Sequence, residues 1–110
     1  MGIRLEKPWR NLSASEVASL GAELGVFQLA DAKGRVVRIG FAGGRSLFGL
    51  RGELAKAMEA GEAAKFRIEV TSQYLSRFEE LLMIHQADFG ELPAANAADG
   101  AGRRGRLSPG

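Results

Sequence analysis

Two runs rich in Val, Ile and Phe, Gly25 to Ala30 and Arg35 to Ala42, stand on either side of Asp31-Ala32-Lys33-Gly34. This arrangement constrains the chain more than any other. β-Branched and aromatic residues favour strands, and a glycine supplies the left-handed backbone that a tight reversal needs. The spacing predicts a hairpin, in whose second strand Val37, Ile39 and Phe41 share one face and Val36, Arg38 and Gly40 the other. Farther along, Phe66, Ile68 and Val70 alternate with Lys65, Arg67 and Glu69, which predicts a third strand.

Between and around these strands the apolar period changes to that of a helix. Ser13-Ala14-Ser15-Glu16 has the form of a capping box and precedes Val17, Leu20 and Leu24, so a first helix is expected over 14–24, ended by Gly25. Leu50, Leu54 and Met58 recur four apart before Gly61, which predicts a second helix over 48–60. Thr71 or Ser72 can cap a third, bearing Leu75, Phe78, Leu82 and Met83, and Pro93 closes the region. Helix, strand, strand, helix, strand, helix is the order of a small α+β fold, with a three-stranded sheet made of the hairpin plus one further strand and flanked by helices.

A chain of 110 residues is one domain's length, and its 45% hydrophobic and 25% charged residues are those of an ordinary globular protein. The residues from Met1 to Trp9 already include Arg4, Glu6 and Lys7, and no uncharged apolar run approaches the roughly 18 residues of a membrane span. A cytoplasmic protein with no membrane partner is therefore expected. Without Cys there is no thiolate metal site or cysteine nucleophile, and a single His excludes a site needing two imidazoles from one chain. Residues 1–12 read as an N-terminal extension and 13–96 as the domain. Residues 97–110, built of Ala, Gly, Arg and Pro, read as a disordered basic tail. Arg103, Arg104 and Arg106 against Asp99 account for the whole net charge of +2, so residues 1–96 are neutral.

Within that neutral body the charges are unevenly placed. Lys33, Arg35, Arg38, Arg45 and Arg51 follow one another with no acid between residues 32 and 52, beside glycine-rich backbone suited to phosphate contact. Neither the dinucleotide fingerprint nor the Walker pattern is present. On a helical wheel Arg51 falls within the buried arc of the second helix, between Met58 and Ala55, where either its stem packs while the head reaches solvent at the helix end, or the guanidinium sits in a cleft beside the sheet and holds a carboxylate or phosphate. Glu79 falls at the border of the third helix's apolar stripe, and Glu80 points to solvent. His85 shares an arc with Phe78 and Leu81, with no acid at metal-ligand spacing, as a core or rim residue.

Gly25-Val26-Phe27, the hairpin turn, Arg38-Ile39-Gly40, Arg51, a third strand, Glu79 and Asn96 occur in an order that resembles the GIY-YIG endonuclease domain over residues 24–96. The resemblance implies a three-stranded sheet with flanking helices, a catalytic Arg at Arg51, a catalytic and metal-binding Glu at Glu79 for Mg (or Mn), and a closing Asn at Asn96. It places Leu75, Phe78, Leu82 and Met83 as the apolar neighbours of Glu79. Phe27 and Arg38 stand where the family has its two name-giving tyrosines, and Phe27 has no hydroxyl with which to help activate water. General acid–base help is worth about 10² to 10⁴-fold. The expected function is therefore a diverged GIY-YIG-like domain that binds nucleic acid (DNA or RNA) or a phosphate-bearing ligand through Lys33, Arg35, Arg38 and Arg45, with nuclease activity weak or lost. Two alternatives stay open: an active Mg-dependent phosphodiesterase, and a non-catalytic protein-interaction module in which Arg51 and Glu79 form an internal ion pair.

Overall fold

The computed structural model describes residues 3–99. It is an α+β fold with a four-stranded antiparallel sheet and four helices. In chain order the elements are β1 (Arg10–Asn11), α1 (Ala14–Ala18), β2 (Gly25–Ala30), β3 (Val36–Ala42), α2 (Gly49–Ala60), β4 (Lys65–Val70), α3 (Tyr74–Phe89) and α4 (Ala94–Ala98). The strands lie in the order β1-β4-β2-β3. The hairpin and the third strand of the sequence analysis are β2, β3 and β4. The fourth, β1, pairs Arg10 with Phe66 and Asn11 with Lys65, and two residues are too few to show a period.

Every residue of β2 is buried because the strand is central and both its faces are covered. One face packs Phe27 and Leu29 of β2 and Phe66 of β4 against Val17 of α1 and against Leu50, Leu54 and Ala57 of α2. The opposite face packs Val26 and Ile39 against Phe78, Leu81 and Leu82 of α3 and against Leu5. The stretch 1–12, expected as an extension, thus supplies a core residue and a strand.

The expected face pattern of β3 holds from Arg38 onward and breaks before it. Pairing slips between Leu29, opposite Arg38, and Ala30, opposite Val36. This bulge sends Val36 to the α3 face with Ile39 and Phe41, while Val37 packs toward α2. Gly40 is required here, since a Cβ would lie 2.3 Å from the Phe27 ring.

The first helix is shorter than 14–24. Ser13 Oγ accepts from the Glu16 N–H at 3.4 Å, as the capping box requires, but α1 stops at Ala18. Residues 21–24 serve other elements: Leu50 N–H donates to Glu23 O, Arg51 N–H to Gly21 O and Thr71 N–H to Leu24 O. The carbonyls that would continue α1 instead satisfy the free donors at the start of α2. The contact is so close that a Cβ on Gly49, at φ 57°, would meet the Ala22 backbone at 2.3 Å.

The buried arc of α3 is rotated from the expected one. Phe78 and Leu82 are core, but Leu75 is 55% and Met83 70% exposed, and Leu81 takes the place assigned to them. Phe41 explains the rotation. Its ring stacks on Tyr74 at 5.6 Å and meets Phe78 edge-on at 5.0 Å, turning toward the sheet the side of α3 that contains both. The chain also stays regular past residue 96, for α4 runs to Ala98 and Asp99 bonds to Arg38. The remainder of the expected tail lies outside the described residues.

Candidate functional site

Phe27 of the first tripeptide, the whole of the second and Asn96, on which the family resemblance rests, border one cleft beside the free edge of the sheet, β3. Phe27, Arg38, Ile39, Gly40, Phe41, Phe78 and Asn96 border a cleft of about 520 Å³ that Glu53, Lys56, Glu62 and Asp99 complete. Asn96 is 3% exposed, and its amide acts as one residue of an additional strand: Oδ1 accepts from Ile39 N–H at 2.7 Å and Nδ2 donates to Ile39 O at 2.9 Å. Both outward backbone groups of Ile39 are thereby satisfied.

Arg38 is neutralised within the same cleft. Its Nε and Nη2 donate to the Glu62 carboxylate at 3.0 and 3.1 Å, and Nη1 donates to Asp99 Oδ2. Burial works against the charge, but Asp99 and Glu62 outweigh it and the Arg38 pKa is raised. A phosphate would have to displace two carboxylates to reach this guanidinium.

Arg51 and Glu79 stand elsewhere. Arg51, placed by the helical wheel in a buried arc, is exposed, because Leu50, Leu54 and Ala57 turn inward. Glu79 is exposed on the flank of Leu75 and Met83, while Glu80, expected to face solvent, is half-buried and bonded to Arg77 Nη1 at 2.7 Å. Their helices cover opposite faces of the sheet, so the fold does not converge these two side chains on one platform. Among the described residues, no group of three or more Asp, Glu or His is placed to hold a metal ion.

The basic run is also divided. Lys33 and Arg35 lie on the hairpin turn at one end of the sheet, Arg38 in the edge cleft, and Arg45 and Arg51 by the start of α2 at the other end. The turn is rigidly built: Asp31 accepts from the backbone N–H groups of Arg35 at 2.9 Å and Lys33 at 3.0 Å. Chiefly through the Arg35 N–H, the Asp31 carboxyl is held below its ordinary pKa.

A larger cavity, about 890 Å³, opens between this turn, the N-terminal segment and the C-terminal half of α3. Lys33, Arg35 and His85 on its rim were singled out by sequence reasoning, whereas Gln28 and Arg67 on its floor were not. Arg67 of β4 lies with its guanidinium 4.0 Å over the Trp9 ring; Nε donates to Gln28 Oε1 at 2.8 Å and Nη1 to the Lys7 carbonyl at 3.1 Å. Both acceptors are neutral. Burial accordingly lowers the Arg67 pKa, with only Glu6 opposing it. Arg4 reaches across the cavity to Asp88, holding that carboxyl below its ordinary pKa, and His85 donates from Nδ1 to Glu91 O at 2.8 Å. Leu81, Ile84, Phe89 and Leu92 form an apolar wall. The available signal was Gln28, a lone polar side chain in a strand apolar on both faces, directly opposite Arg67.

Residues 3–88 match the family model described as Domain of unknown function (DUF7508), and the chain belongs to that family. No curated protein and no solved structure matches it. No helix among the described residues is long and apolar enough to cross a membrane.

Proposed function

We propose that this domain is a diverged GIY-YIG-like scaffold used to bind a phosphate-bearing ligand, without cleaving phosphodiesters, and that Arg67 is its anion anchor. One observation supports the reading above the others. Arg67 is a half-buried cation in a cavity, hydrogen-bonded to a glutamine and a backbone carbonyl, and among the described residues Glu6 acts on it only through space, without a hydrogen bond. Arg is rarely covered without an acidic partner, and a bound oxyanion supplies one through charge-assisted hydrogen bonds. Exposed Lys33 and Arg35 at the rim add to the attraction.

The rest of the geometry favours binding over hydrolysis. Phosphodiester cleavage needs charge stabilisation and water activation at one point, whereas Arg51 and Glu79 belong to opposite faces and Phe27 has no ionisable group. The division of the basic run also favours a compact ligand over a long nucleic-acid track.

The full chain titrated calorimetrically with ribose 5-phosphate, a simple phosphomonoester, should bind it measurably at low salt. Arg67→Met should weaken this at least tenfold, equivalent to about 1.4 kcal/mol, with a modest fall in melting temperature because Gln28 Oε1 loses its donor. Arg51→Ala should leave affinity unchanged. Binding indifferent to Arg67→Met, or cleavage of nicked or branched DNA that depends on Arg51, would overturn the reading.

A further inference from the structure

The cavity contains a second unmatched group, on the floor beside Arg67. Gln28 is 7% exposed and lines the cavity, where its orientation is set by chemistry. Arg67 Nε can only donate, so the amide oxygen must face it, as the 2.8 Å contact shows. The Gln28 amide nitrogen then has two N–H groups and, among the described residues, no acceptor. Arg67 Nη2 is likewise without a hydrogen-bond partner among them.

A buried amide donor left unmade carries a desolvation penalty that a matching acceptor relieves. Two kinds of acceptor are needed here, one for a guanidinium and one for a neutral amide. An oxyanion matches the first. The second is matched by a neutral carbonyl-type oxygen, the ordinary complement of an uncharged amide N–H. The cavity wall between them offers the Trp9 indole, the His85 and Phe89 rings packed 4.7 Å apart, and the aliphatic side chains of Leu81, Ile84 and Leu92. Such walls suit a planar body.

We infer that the ligand is a small phosphomonoester with a planar ring bearing a carbonyl acceptor, the phosphate held by Arg67 and the carbonyl read by Gln28. This rests on the proposed anion site and names the chemistry of its ligand. Selectivity follows from the amide: a ring without an acceptor leaves the Gln28 N–H groups unpaired and is rejected for that reason.

Trp9 is the protein's single tryptophan and lines the cavity, so its emission reports occupancy directly in the full chain. Three probes separate the contributions: ribose 5-phosphate has a phosphate on a sugar with no planar ring, phenyl phosphate has a phosphate on a planar ring with no carbonyl, and uridine 5′-monophosphate has phosphate, planar ring and carbonyls. Uridine 5′-monophosphate should bind about tenfold more tightly than phenyl phosphate, the scale of one buried hydrogen bond, and ribose 5-phosphate most weakly. Gln28→Met should bring uridine 5′-monophosphate and phenyl phosphate to similar affinity. Gln28→Glu, which gives Arg67 an internal carboxylate, should abolish binding of all three while raising the melting temperature. Equal binding of the two ring compounds by the unmodified protein, a comparison that needs no variant, overturns the inference, as does a preference surviving Gln28→Met. If ribose 5-phosphate binds and ring compounds gain nothing, the anion site stands and the ligand assignment falls. If no phosphate compound binds, both fall.

Discussion

Arg38 and Arg67 are half-buried guanidiniums on one sheet, and their surroundings make them opposite kinds of residue. Arg38 has a carboxylate for each side of its fork, Glu62 and Asp99, and its pKa is raised; Arg67 has a neutral amide and a carbonyl, and its pKa is lowered. The first therefore fastens α2's C-terminal end and α4 to the sheet edge. The second retains an unpaired donor beside a cavity. Being an arginine in a concave site does not make a residue an anion receptor; the count of carboxylates around it does.

The comparison can be broken most forcefully at Asn96, whose side chain completes the edge to which Arg38 is tied. Asn96→Ala should cost about 3 kcal/mol by leaving the Ile39 N–H and C=O without partners, read as the loss of stability in urea. Ligand affinity at the Arg67 cavity should persist below the transition. Arg38→Met comes next. It leaves Glu62 and Asp99 facing each other without a cation, and solvent screening limits the cost to about 1–2 kcal/mol. A melting-temperature fall for Arg38→Met larger than for Arg67→Met is the expected order, and the reverse would dissolve the distinction.

Converting one region into the other sharpens the contrast. Removing both acids, by Glu62→Gln with Asp99→Asn, should give Arg38 the character of Arg67 and create weak new phosphate binding, detectable by calorimetry in an Arg67→Met background. The smallest effect is on pH. The Asp31 and Asp88 carboxyls have folded pKa values below their unfolded ones, so the unfolded chain takes up protons first as pH falls. Their stabilising contribution is present above the ordinary carboxyl pKa of about 4 and fades as pH drops through the lower folded values. Chemical denaturation from pH 6 to 3 should show it, reduced in Asp88→Asn.

Much of the fold was legible because it is written in local periods. The hairpin, β4, the four-residue spacing in α2 and the Ser13 cap all follow from short-range patterns. What escaped depends on neighbours distant in sequence. Leu75 and Met83 satisfy an apolar stripe on a wheel, and only the stacking of Phe41 on Tyr74 decides that another arc faces inward. Arg51 entered the expected buried arc by angle alone, yet Leu50 and Ala57 fill that side. The candidate anion site was hidden for a related reason: in an alternating strand Arg67 reads as a solvent-facing residue, and it becomes covered only because the N-terminal segment lays Trp9 across that face. The bulge at Val36–Val37 likewise has no local marker.

The short segment between α1 and β2 has a further consequence for how the protein opens. Its carbonyls receive donors from the start of α2 and the end of β4, so one four-residue stretch clasps two elements lying far apart along the chain. Neither can fray at that end without releasing the other. The amide protons of Leu50 and Thr71 should accordingly exchange with deuterium at one shared, slow rate, making them a convenient gauge of whether the whole molecule comes apart as a single unit.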